Sequence, residues 1–186
     1  MRDIKCEELN PALTEYMNGR YGKIDKVFFQ QIGQKIKGQG FLTAVDLFCV
    51  ICWKTWSYEE ALDLAFGSVT NNTEDKIKRV TKEAIELADK GKIAKAIVKL
   101  TEYPTKLYGV GVRTASAILT FYNPNKYPVV DIHSWRALYE KRLPQGGPTP
   151  EEYEKYLEDV KSIAKKCKLT AHEVDAALWV IGRGKP

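Results

Sequence analysis

Apolar and polar residues recur at helical spacing along most of this chain, and the alternating pattern of a half-buried strand is nearly absent. Ile77, Val80, Ala84, Leu87 and Ala88 form one stripe on a charged segment, as in a helix with a single buried face. FLTAVDLFCVICW, from residue 41, is apolar on nearly every side and predicts a helix surrounded by others. Ser57 with Glu60, Thr149 with Glu152, and Thr170 with Glu173 have capping-box spacing, and Pro150 sits at a favoured first helical position. Gly67, Gly91 and Gly182 each follow a periodic stretch and read as helix stops. The pattern predicts helices near 12–18, 24–37, 42–55, 58–66, 73–90, 92–101, 112–122, 132–142, 150–167 and 171–181. The expected fold class is therefore all-α. With 186 residues, 44% of them apolar, the chain suffices for one substantial core. We expect a single unit over 1–186, in which the loop LPQGGPTP at 143–150 is the one place where two helical lobes would join.

Composition narrows the functional classes modestly. The formal charge of +5 favours polyanionic partners without specifying one. No apolar run reaches the roughly 18 residues of a membrane span, and the N-terminal MRDIKCEELN has no signal-peptide core, so a cytoplasmic protein is expected. Cys6, Cys49, Cys52 and Cys167 are too sparse for a disulfide scaffold and are read as reduced thiols. Cys49 and Cys52 form a CxxC pair, but it lies in an apolar segment with no second metal-spaced pair, which favours core packing over a metal site.

The most informative stretch is LYGVGVRTASAILTFYNPNKYPVVDIHSWRALY, residues 107–139. Gly109 and Gly111 flank Val110 just before a helical segment, an arrangement that turns tightly and presents unpaired amides to an anion such as a DNA phosphate. Lys106, Arg113 and Thr114 add a cation, a guanidinium and a hydroxyl around that turn. An ordinary tight turn between helices is the alternative. Asp131 likewise has two readings: with Ser134 three residues on it is a helix N-cap, or it is a catalytic carboxylate.

The stretch resembles the helix-hairpin-helix DNA glycosylases of base-excision repair, the superfamily with endonuclease III-like and adenine-mismatch enzymes. The resemblance rests on Leu107, Gly109, Val110, Gly111, Thr114 and Ala115 as the hairpin, then Val130, Asp131 and His133 opening another helix. It covers about 35 residues locally, with weaker similarity in helix order from about residue 40 to DAALWVIGR. It implies a two-lobed helical fold with the hairpin and Asp131 at the cleft, and a monomer that binds double-stranded DNA containing a damaged or mismatched base in the nucleoid. By the same resemblance, Asp131 would stabilise the oxocarbenium-like sugar after the target base has been rotated out of the duplex. Lys106, Gly109, Val110, Gly111, Arg113, Thr114 and His133 would contact DNA, and the helix end ICWKTW would supply a pocket or wedge through Trp53, Lys54 and Trp56. Relatives that also cleave the backbone carry a lysine where Arg113 stands, which implies a monofunctional enzyme here. No cysteine follows Cys167, so no iron–sulfur cluster, metal or other cofactor is expected.

Overall fold

In the computed structural model, residues 1–55 and 61–184 are described, and all of their regular structure is helical. The chain runs through α1 (Cys6–Asn18), α2 (Arg20–Phe28), a π-helical turn (Phe29–Gly33) and α3 (Gln34–Gln39), which together replace the two helices expected before residue 38. It continues through α4 (Ala44–Thr55), α5 (Ala61–Thr70), α6 (Glu74–Asp89), α7 (Ile93–Thr101), α8 (Val112–Tyr122), α9 (Ile132–Tyr139), α10 (Pro150–Cys167) and α11 (Ala171–Arg183). The first helix starts earlier than its apolar pattern suggested, because Pro11 is accommodated inside α1.

Capping boxes at Thr149 and Thr170 open α10 and α11 as their spacing predicts, whereas the expected start at Ser57 and Glu60 lies outside the described residues. Gly91 follows α6 with φ +73°, the left-handed conformation expected of a helix stop. The other two glycine stops are corrected. Gly67 lies within α5 and Gly182 within α11, and both are small because something packs on them. A Cβ on Gly67 would meet the Tyr108 ring at 3.0 Å, and one on Gly182 would lie 1.9 Å from the His133 carbonyl oxygen.

The centre of the fold is α8 rather than α4. Every residue from Thr114 to Phe121 is buried, and α3, α4, α6, α7 and α10 all pack against this helix. Its small residues Ala115, Ser116, Ala117 and Thr120 let neighbours approach from all sides, while the bulkier α4 leaves Val45 65% exposed. Nearly all of the buried apolar side chains belong to one core cluster.

The expectation of four reduced thiols is also corrected: Cys6 and Cys167 form a disulfide between the start of α1 and the end of α10. A separation of 161 residues concealed this pair, since cysteine spacing along the chain says nothing about which distant helices meet. A reducing compartment, which four free thiols would have implied, therefore has no support from the cysteines. Cys49 and Cys52 are unpaired and half-buried, and burial pushes both thiols above their ordinary values, away from redox reactivity. No helix among the described residues is long and apolar enough to cross a membrane.

Candidate functional site

The site is built around the segment 128–131, which lies between α8 and α9 and ends at the N-cap of α9. Ser116 Oγ, buried in α8, accepts a hydrogen bond from the Val130 amide at 3.1 Å, and the Tyr153 hydroxyl donates to the Pro128 carbonyl at 3.1 Å. These contacts place Asp131 at the N-cap of α9, where its two carboxylate oxygens divide the work. Oδ1 accepts the His133 amide at 3.1 Å, and the Ser134 hydroxyl reciprocates by accepting from the Asp131 amide at 3.2 Å. Oδ2 accepts from Lys54 Nζ at 2.8 Å and from the Arg113 guanidinium at 3.3 Å.

Asp131 is thus a cap and an ion-pair partner at once. The two sequence readings are compatible, since the cap occupies one oxygen and leaves the other facing the cations. Burial alone would push this carboxyl up, but Lys54, the His133 amide and Arg113 outweigh it and hold the value at about 2. The side chain remains 15% exposed, on the wall of a cavity of about 250 Å³.

Aromatic side chains from three helices form much of the cavity. Tyr16 of α1, Tyr21 of α2 and Trp179 of α11 pack together, with 4.7 Å between the Tyr21 and Trp179 ring centroids. Trp53 of α4 is fixed as a further part of the lining. Its indole N–H donates to Asp25 at 2.7 Å, and its ring packs edgewise against Phe29 and Phe121. A side chain held in this way is a pocket lining rather than a mobile wedge. Trp56, the other tryptophan singled out in that segment, lies outside the described residues.

The floor is acidic and buried. Asp25 accepts hydrogen bonds from Trp53, from the Tyr16 hydroxyl at 2.7 Å and from His172 Nε2 at 2.9 Å, so four helices converge on one carboxylate. Burial alone would push the His172 imidazole down, but its bond to Asp25 and the nearby carboxylates raise it above its ordinary value. Asp175, one turn further along α11, receives the Tyr156 hydroxyl at 2.9 Å. Burial pushes Asp175 up to about 6, against the opposing influence of His172 and Tyr156.

This raised value has a testable consequence for stability. An unfolded aspartate ionises near its ordinary value of 3.8, so the cost of keeping Asp175 folded grows as pH rises from about 4 to about 6, and it persists above that. Asp175→Asn keeps an acceptor for Tyr156 and removes the charge. The variant is expected to be more stable than the native protein by about 2 kcal/mol at pH 7.5 and equal to it at pH 4, as read by urea unfolding at both pH values. A difference that does not depend on pH would refute this account.

The hairpin sits beside the cavity. Asn72 clamps it by accepting the Tyr108 amide at 3.0 Å and donating to the Tyr108 carbonyl at 3.2 Å. Gly109 takes φ +79° with Ser68 close by, which requires glycine. Val110 and Thr114 are buried, so their side chains hold the turn in place and only backbone atoms there can meet a ligand. Gly111 is extended and exposed, at the N-cap of α8 with no side-chain cap on the first-turn amides. The Lys106 ammonium lies over the Tyr103 ring, and the Lys106 carbonyl accepts from Lys76 at 2.6 Å. Arg113 reaches from the hairpin to Asp131, joining the two motifs into one surface. His133 packs against Trp179 on the cavity wall, and burial pushes its imidazole down, so it is uncharged near pH 7.

The structure therefore brings together Lys54, Arg113, Asp131, His133 and Trp53, all singled out from the sequence. Tyr16, Tyr21, Asp25, His172, Asp175 and Trp179 were missed. One signal was available for Asp175: an acid flanked by Val174, Ala176 and Ala177 on the buried face of a helix, with a histidine one turn before it. No known protein family, curated protein or solved structure matches the chain.

Proposed function

We infer that this protein is a DNA-binding glycosylase that hydrolyses the N-glycosidic bond of a damaged or mismatched base flipped out of double-stranded DNA. The observation that carries this reading is the placement of an ionised, partly exposed carboxylate, Asp131, on the wall of an aromatic cavity beside the GVG hairpin, whose Gly111 is exposed. Aromatic faces receive a planar base, and an anion beside the sugar favours the positive charge that develops as the bond breaks. With its value at about 2, Asp131 acts through its charge and is a weak proton acceptor. The open amides at the start of α8 would hold a backbone phosphate.

The alternative is a helix-hairpin-helix protein that binds DNA without chemistry. It is favoured by the engagement of both Asp131 oxygens within the protein, as cap and as counterion. The two readings are separated by release of free base, measured by chromatography on a panel of duplexes carrying single oxidised, deaminated, alkylated or mismatched bases. Release from one substrate supports the glycosylase; salt-dependent binding with no release from any supports the binder.

Both readings need the hairpin. Position 111 is a clean test of it, because the backbone there is extended and a Cβ would meet nothing within 4 Å. Gly111→Glu is expected to fold as stably as the native protein and to weaken DNA binding at least about tenfold, by placing a carboxylate against the phosphate. DNA binding that ignores both this change and salt would leave neither reading standing and would point to a protein-interaction domain.

A further inference from the structure

A second cavity, of about 270 Å³, lies between the end of α6, the start of α7, the segment after α8 and the helix α10, and it shares no lining residue with the cavity beside Asp131. Tyr127, only 1% exposed, is part of its lining. The hydroxyls of the other buried tyrosines are all bonded: Tyr16 to Asp25, Tyr153 to the Pro128 carbonyl and Tyr156 to Asp175. Among the described residues the Tyr127 hydroxyl has no such partner, and a buried polar group left in this way calls for something that meets it. Burial, with Asp89 and Tyr122 nearby, pushes this phenol up to about 12, so it stays protonated and able to donate.

Charges of both signs stand around it. The Lys161 ammonium lies over the Tyr127 ring, 5.7 Å from its centroid, and forms no ion pair among the described residues. Burial and the neighbouring Lys126 push that ammonium below its ordinary value, and Glu158 does not make up the difference. Glu154 and Glu158, one turn apart on α10, likewise form no ion pair among the described residues. Asp89 is already engaged, by the Tyr122 hydroxyl at 2.6 Å and by Lys126 at 3.9 Å. Ile93 opens α7 on the cavity lining, and the N-cap residue Lys92 makes no side-chain bond to the first-turn amides. Those amides, the Tyr127 hydroxyl and Lys161 suit a carboxylate, whereas the acids of α10 suit an ammonium. A ligand with charge of one sign would satisfy one set and be repelled by the other. Ala88, Ile93 and Leu157 add a small apolar surface.

We propose that this cavity binds a free α-amino acid with a small side chain, its carboxylate held by Tyr127, Lys161 and the amides of α7, and its ammonium by Glu154 and Glu158. The site goes beyond the DNA reading and stands or falls independently of it.

The experiment follows thermal unfolding of the full chain with L-alanine, L-serine or L-valine, and with acetate, ethylamine or inorganic phosphate at the same concentration as ligands whose charge has one sign. At about 10 mM, at least one amino acid is expected to raise Tm by about 2 °C or more, and the singly signed ligands are not. Tyr127→Phe loses no hydrogen bond to the described residues. It is therefore expected to unfold at the native temperature without ligand, and to bind that amino acid at least about tenfold more weakly in calorimetric titration. Glu158→Gln, on the exposed side of α10, is expected to weaken binding in the same direction. No shift with any of the amino acids, an equal shift with acetate or phosphate, or native affinity in Tyr127→Phe overturns the proposal.

Discussion

Asp131→Asn is expected to lower base release by roughly 10²–10³-fold while leaving a folded protein that still binds DNA. Asparagine caps a helix about as well as aspartate, so the bond from the His133 amide survives and α9 keeps its start. What is lost is the negative charge at Oδ2, on which the proposed stabilisation of the sugar cation depends. The same loss leaves the Lys54 ammonium, 7% exposed, without its anion. Since Asp131 is partly exposed, we expect a destabilisation of about 2 kcal/mol at pH 7.

The sign of its pH dependence follows from the direction of the shift. The folded value, about 2, lies below the ordinary 3.8, so Asp131 contributes stability that is complete above about pH 4 and is lost as pH falls towards 2. The gap between native protein and variant should therefore close on acidification, in urea titrations from pH 7 to pH 2. Base release that persists in Asp131→Asn would show that the carboxylate is a cap and counterion only.

Gly182→Ala carries the largest expected effect on stability. The added methyl carbon would stand 1.9 Å from the His133 carbonyl oxygen and 2.6 Å from its carbonyl carbon, both of them backbone atoms that cannot rotate aside. Relief requires α11 to move away from α9, although the two helices pack closely along their lengths. Overpacking of this kind costs about 3 kcal/mol, or a Tm lowered by roughly 6–12 °C for a chain of this size. Base release should fall as well, because α9 carries Asp131 and α11 carries His172, Asp175 and Trp179. Gly184→Ala is the control: nothing lies within 4 Å of a Cβ there, and its stability should match that of the native protein within about 0.5 kcal/mol. A Gly182→Ala protein equally stable to the native one would mean that the two helices are not held at this distance.

Some of the site was legible in residue order because it is local. The double role of Asp131 shows how far that legibility reaches: the cap was visible from Ser134 three residues on, whereas Lys54 on the other oxygen comes from 77 residues away. Trp53 was noticed as an aromatic near Lys54, but its partner Asp25 lies 28 residues back and makes it an immobile wall. Asp25 itself gave little sign of its importance. In RYGKIDKVF it looks like one more charge on an amphipathic helix, until α1, α4 and α11 fold onto it.

Residue order by itself determined the helical class, the capping boxes at Thr149, Thr170 and Asp131, the stripe on α6 and the left-handed stop at Gly91. Each of these depends on neighbours within about one or two turns, where hydrogen-bond geometry and side-chain periodicity act directly. Tertiary structure alone decided that α8 is the centre, that Cys6 pairs with Cys167, that Gly182 is a contact rather than an end, and that Asp25 meets His172 across 147 residues. These outcomes depend on which helix faces meet when the core closes. That is set by the packing of many side chains together, and no short stretch of sequence contains it.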